Sequence, residues 1–108
     1  MKDIEIFQKL AVLHCVYQLI ASADGSIDED RDEAAIELAL TELGLSSVYS
    51  WDSALKLNPH DCFIHIAGLN ETDKQAFRAL LLNVAGLGGN TTFRITCANH
   101  IIQLCFVE

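Results

Sequence analysis

Leu19-Ile20-Ala21-Ser22-Ala23-Asp24-Gly25-Ser26-Ile27-Asp28-Glu29-Asp30-Arg31-Asp32-Glu33 runs from an apolar segment, through a glycine turn, into an acidic segment. Upstream of it, apolar residues recur at intervals of three and four: Ile6, Leu10, Leu13, Tyr17 and Ile20. That spacing is one face of a helix and predicts helix over residues 3–22. Gly25 stops it, because glycine accepts the left-handed turn that a helix end often needs. Asp28 suits the N-cap of a second helix, where its carboxylate accepts from free N–H groups of the first turn. Glu29, Asp30, Asp32 and Glu33 favour the positive end of that helix's dipole. Ala35, Ile36, Ala39, Leu40 and Leu43 then make a buried face, ended by Gly44.

The same grammar continues downstream. Ser46 or Ser47 suits the cap of a short helix carrying Tyr49, Trp51 and Leu55, and Asn58-Pro59 restarts a helix with proline in its first position. His60 to Ala67 follows and stops near Gly68. Asn70 or Thr72 caps a long helix with Phe77, Leu80, Leu81, Val84 and Ala85 inward, and Thr72 with Gln75 fits a capping box. After Gly86-Leu87-Gly88-Gly89-Asn90, Thr91 or Thr92 opens a last helix with Ile95, Ala98, Ile101, Ile102 and Cys105 inward. The expected fold is all-α, a small bundle of five to six helices in one domain spanning residues 1–108. Short connections predict antiparallel neighbours. Leu82 to Gly89 repeats the logic of Leu19 to Gly25, which suggests two pseudo-repeated helix–loop–helix halves. Two facing helix pairs give the same pattern without duplication.

Composition bounds the function. A chain of 108 residues holds one core, and 51% hydrophobic content fills it. Apolar runs such as Ala79-Leu80-Leu81-Leu82 are far shorter than the roughly 20 residues of a membrane span. Met1-Lys2-Asp3-Ile4-Glu5 lacks the pattern of a signal peptide, so a cytoplasmic location is expected. Seven basic against fifteen acidic residues leave a net charge of −8. That disfavours nucleic acid and anionic membrane, and permits a cation or a basic partner.

Asp24, Asp28 and Asp32 are the candidate metal ligands. Hard divalent cations take several oxygen ligands, and a loop entering a helix can supply them, with Asp28 and Asp32 on one face. The loop is not an EF-hand. With Gly25 at the loop glycine, Ile20 and Ser22 fall on the first two acidic positions and Arg31 on the bidentate glutamate. A simpler reading makes Asp28 a cap, lets the other acids suit the helix dipole, and has Asp24 bond the turn backbone.

Ala23-Asp24-Gly25, Ile27, the acidic helix start from Asp28 and the ending Leu43-Gly44-Leu45 resemble the tellurite-resistance TerB family and TerB-like domains. Leu69-Asn70-Glu71 through Ala85-Gly86 resembles that family's second helix pair. The resemblance implies a helical bundle, bacterial and cytoplasmic, acting within larger stress-response systems and holding a divalent cation on acidic residues. Asp24, Asp28 and Asp32 are the ligands carried over by position. Two features depart from the pattern: Gly86 to Asn90 and the helix after it carry no carboxylate, and Arg31 stands where members commonly have glutamate.

Other chemistry has weaker signals. Cys62 with His65, and Cys97 with His100, are each three apart and would make a zinc site if their helices met. Both pairs lie among core-type residues, and Cys15, Cys62, Cys97 and Cys105 read as free buried thiols. His14-Cys15 are adjacent and so do not face each other on a helix. No nucleotide-binding glycine pattern is present. Tyr49, Trp51 and Leu55 suit a lid on the core or an aromatic contact patch. The expected function is therefore a non-enzymatic TerB-like module working through protein contacts, with a protein partner or homodimer and a divalent cation at the acidic loop. A ligand-free structural or homodimeric protein, and a thiol or zinc protein, are the alternatives.

Overall fold

A computed structural model describes residues 1–45, 47–87 and 90–106. They form six helices: α1 (Ile6–Asp24), α2 (Glu29–Leu43), α3 (Ser47–Leu55), α4 (Pro59–Ala67), α5 (Glu71–Ala85) and α6 (Thr91–Cys105). No strand occurs among the described residues, and the fold is a small all-α bundle.

The local signals act as their chemistry dictates at most boundaries. Gly25 closes α1 in the left-handed region at φ 80°, its N–H donating to the Ala21 carbonyl at 2.8 Å. The Asp28 side chain accepts from the N–H groups of Asp30 and Arg31. Asn58 does the same for His60 and Asp61, ahead of Pro59 in the first helical position. At the last two helices the expectation holds for Asn70 and fails for the threonines. Asn70 caps α5 by accepting from Asp73, and Thr72 already lies inside the helix, so a box with Gln75 does not form. Thr91 is the first residue of α6, preceded by Asn90 at φ 61° without a side-chain cap bond. Ser46 lies outside the described residues, as do Gly88 and Gly89 of the second loop.

The centre of the bundle is α1. It packs against all five other helices. In place of a single apolar stripe, Ala11, Val12, Leu13, His14, Cys15 and Val16 are all buried. A helix surrounded by neighbours has no solvent face, so its periodicity disappears there; Ile6, beyond that ring, is 55% exposed. By length and composition α1 is apolar enough to cross a membrane, and here it is the core helix. The other helices keep one buried face. In α5 it is Phe77, Leu80, Leu81, Val84 and Ala85, as the spacing predicts.

The short connections do not make every sequence neighbour a packing neighbour. α3 and α4 rest on α1, with little contact to each other. Buried His14 fastens α3 to α1. Its Nδ1 lies 2.8 Å from the Ala54 carbonyl, which can only accept, so Nδ1 carries the proton. Nε2 then accepts from Gln18, one turn on, at 3.2 Å.

Candidate functional site

The loops α1–α2 and α5–α6 meet. Asp24 ends α1, and Asp32 sits one turn into α2, continuing that helix's buried stripe through Ala35, Ala39 and Leu43. From the other side comes Arg94, in the first turn of α6. Its side chain is fully buried, as is that of Asp32, and Asp24 is only 8% exposed.

Arg94 lies between the two carboxylates. Its Nε donates to Asp24 Oδ2 at 2.8 Å. Nη2 donates to the same oxygen and to Asp32 Oδ1, the latter at 2.6 Å. Nη1 donates to the Leu87 carbonyl at 2.6 Å, tying the second loop to the same group. Asn90 adds a long contact from Nδ2 to Asp24 Oδ1, 3.4 Å.

Arg31 completes the cluster. It grips Asp32 with both prongs, Nε to Oδ1 at 3.2 Å and Nη2 to Oδ2 at 2.8 Å. The Asp28 N–H donates to Asp32 Oδ2 at 3.0 Å. Asp32 therefore accepts four hydrogen bonds, which fills the roughly four lone-pair sites of a carboxylate. Two carboxylates face two guanidiniums, so the cluster is neutral, with Arg94 and Asp32 buried and Arg31 at its exposed edge. Burial alone pushes the Asp32 carboxyl up; the bonds from Arg31, Arg94 and the Asp28 N–H outweigh it and hold the group at about 2. Bonding to Asp32 raises the Arg31 guanidinium. Burial opposes the charge of Arg94, and its bonds to Asp32 and Asp24 more than offset that.

The structure thus divides the three acids grouped by the sequence. Asp24 and Asp32 converge on Arg94, while Asp28 is exposed and spends one oxygen on helix capping. Among the described residues no three Asp, Glu, His or Cys side chains are arranged to hold a metal ion. A guanidinium stands between Asp24 and Asp32, where a shared cation would have to stand. Arg94 was missed by inspection of the acidic loop alone. Its signal was present in spacing: Arg94, Ala98, Ile101 and Cys105 form one stripe of α6, and all four are buried. Ile95, expected inward, is 39% exposed because that stripe, and not its neighbour, faces the core.

The Cys and His pairs do not form sites. Cys62 is buried while His65 is exposed and stacked on Phe7, with ring centroids 6.0 Å apart. Cys97 is half-buried and His100 exposed. Burial pushes the Cys62 thiol up to about 11, with Asp61 adding to it. A hydrogen bond with Cys105, then burial, raises Cys15 well above the ordinary thiol range. Such thiols are poor nucleophiles at neutral pH. Trp51 is half-buried with its ring edge-on to Tyr17 at 6.2 Å, and Leu55 is 38% exposed; the side chain of Tyr49 lies outside what is described.

These features define a class: a bundle of six described helices in which two helix–loop–helix joints are held together by an arginine–carboxylate quartet centred on buried Arg94. Compared with protein-family models, curated proteins and solved structures, the chain matches none.

Proposed function

We propose that this chain is a non-enzymatic, TerB-like module of a bacterial, cytoplasmic stress-response system, acting through protein contacts, with its acidic loop serving as an internal clasp. The observation that carries the clasp is Arg94, buried between Asp24 and Asp32. In the resemblance a divalent cation neutralises the acidic loop. Here a guanidinium from the second half does so, which accounts for both departures from the family pattern. The second loop needs no carboxylates when it supplies the positive charge. Arg31 in place of glutamate balances the remaining acid. A cation at Asp24, Asp28 and Asp32 is the rival reading, and it would have to displace Arg94 from two buried carboxylates.

Calorimetric titration of metal-free protein with calcium, manganese, magnesium and zinc separates the two. The clasp predicts no saturable heat and no rise in melting temperature with any ion. Saturable binding that Asp24→Asn with Asp28→Asn abolishes would establish the cation site and overturn the clasp.

A further inference from the structure

α2 and α3 both pack on α1 yet have little contact with each other. Between them lies an open groove of about 650 Å³, within the range of ligand-binding clefts. Ile36 and Leu40, one turn apart on α2, line one side; Trp51 and Leu55, one turn apart on α3, line the other, and Tyr17 of α1 also contributes. Both sides are therefore helical rows with i,i+4 spacing. Such a gap is filled by a third helix packing its own ridge into it. A sheet-type partner finds no strand edge among the described residues.

The rim fixes the sign of the occupant. Asp30, Glu33, Glu37 and Asp52 line the groove, and none of its lining residues is basic. Among the described residues none of these four acids is in an ion pair. The contrast with the quartet is direct: there, two arginines answer two carboxylates, whereas here four carboxylates flank an apolar strip with nothing opposite. A second copy of this chain, at net charge −8, would bring like charge to the same face. The complement is a helix with an apolar stripe flanked by Lys or Arg.

We propose that the α2–α3 groove receives a basic amphipathic helix of a partner protein. The inference rests on reading the chain as a protein-contact module. Apolar side chains of the partner enter between Ile36 and Leu40 on one side and Trp51 and Leu55 on the other. Its lysines or arginines meet Glu33, Glu37, Asp30 and Asp52 at the rim, which steers the approach and sets the orientation.

Trp51, the single tryptophan, lines the groove and reports on it directly. The whole protein is titrated with a synthetic leucine–lysine amphipathic peptide and with a leucine–glutamate peptide of the same pattern, following Trp51 emission. Saturable change is expected with the lysine peptide alone. Glu33→Gln with Glu37→Gln, both exposed positions, should weaken binding about tenfold, as loss of two rim charges implies. Asp61→Asn with Glu71→Gln removes the same charge from other exposed helix starts and should leave affinity within about twofold, the range of screened distant charges. Leu55→Ala should weaken binding without altering its salt dependence. The proposal is overturned by a silent Trp51, by equal binding of the glutamate peptide, or by equal losses in the two charge variants, which would mean attraction to net charge alone. Failure here leaves the clasp standing, because the metal titration interrogates other side chains.

Discussion

The two joints that meet at the quartet are built by different means. Between α1 and α2, local chemistry does most of the work: Gly25 takes the left-handed turn, and Asp28 caps two N–H groups of the next helix. Between α5 and α6, Gly86 stays right-handed at φ −78°, and α6 starts without a side-chain cap. The second joint is instead held from a distance, by Arg94 binding the Leu87 carbonyl on its own side and Asp24 and Asp32 on the other. The first joint carries its own glycine turn and side-chain cap, while the second has left-handed Asn90 and is tied to the first through Arg94. Two joints of similar helix–loop–helix outline can thus divide one charge cluster between them.

The sharpest test of that division is Arg94→Met. It leaves two carboxylates buried without their shared counterion, and a broken buried ion pair costs roughly 3–5 kcal/mol. Urea unfolding should show this as a lower midpoint. Arg94→Lys should recover only part of the loss, since an ammonium cannot reproduce the fork that reaches Asp24, Asp32 and Leu87 together. If Arg94→Met costs under about 1 kcal/mol, a typical figure for an exposed pair, the second joint does not depend on the first.

Acid should open the joint from one side only. The carboxyl of Asp32 is held at about 2, below its ordinary value of 3.8, so the folded state binds its proton less readily than the unfolded chain. The stability it contributes is complete above the ordinary carboxylate range and is lost as pH falls from about 4 towards 2. Unfolding midpoints measured across that window should fall in the native protein. They should fall less steeply in Asp32→Asn, which starts lower. Parallel slopes would show that Asp32 is not the titrating member.

The two glycines give the smallest and most discriminating comparison. A Cβ at Gly25 meets nothing within 4 Å, so Gly25→Ala tests backbone conformation alone and should cost roughly 1–2 kcal/mol. At Gly86 a Cβ would make ordinary contacts of 3.5 Å with the Asn83 carbonyl and 3.8 Å with that of Leu82. Gly86→Ala should therefore stabilise by roughly 0.4–1 kcal/mol, by restricting the unfolded chain. Opposite signs in thermal melts confirm that Gly25 is required by its backbone conformation and Gly86 is not. Equal signs would remove the distinction.

The helices and most of their ends were legible in the sequence because their causes are local. Gly25, Asp28, Asn58-Pro59 and Asn70 each act on the residues beside them. The stripe of α5 was legible because that helix has one buried side. α1 was legible as a helix but its buried set was not, since burial of every residue from Ala11 to Val16 exceeds the single stripe that the spacing predicts. The quartet joins residues as much as 70 positions apart, and no local rule links Asp24 to Arg94. The acidic loop was visible; its counterion was hidden in a helix that looked ordinary except for one arginine on its buried stripe. The groove stayed hidden for the same reason, because it exists only where α2 and α3 diverge over α1.

The central place of α1 has a consequence for the chain as it is made. Every helix that shelters α1 is translated after it, and α6, whose arginine fastens the two loops, comes after the other five. Synthesis runs from the N-terminus at a pace far slower than helix formation. Throughout that interval the emerging chain displays its most apolar segment with its permanent covering still unbuilt. To any factor that samples nascent polypeptides, the first helix presents the length and composition of a membrane-crossing segment. Its covering is complete only once α6 has followed it.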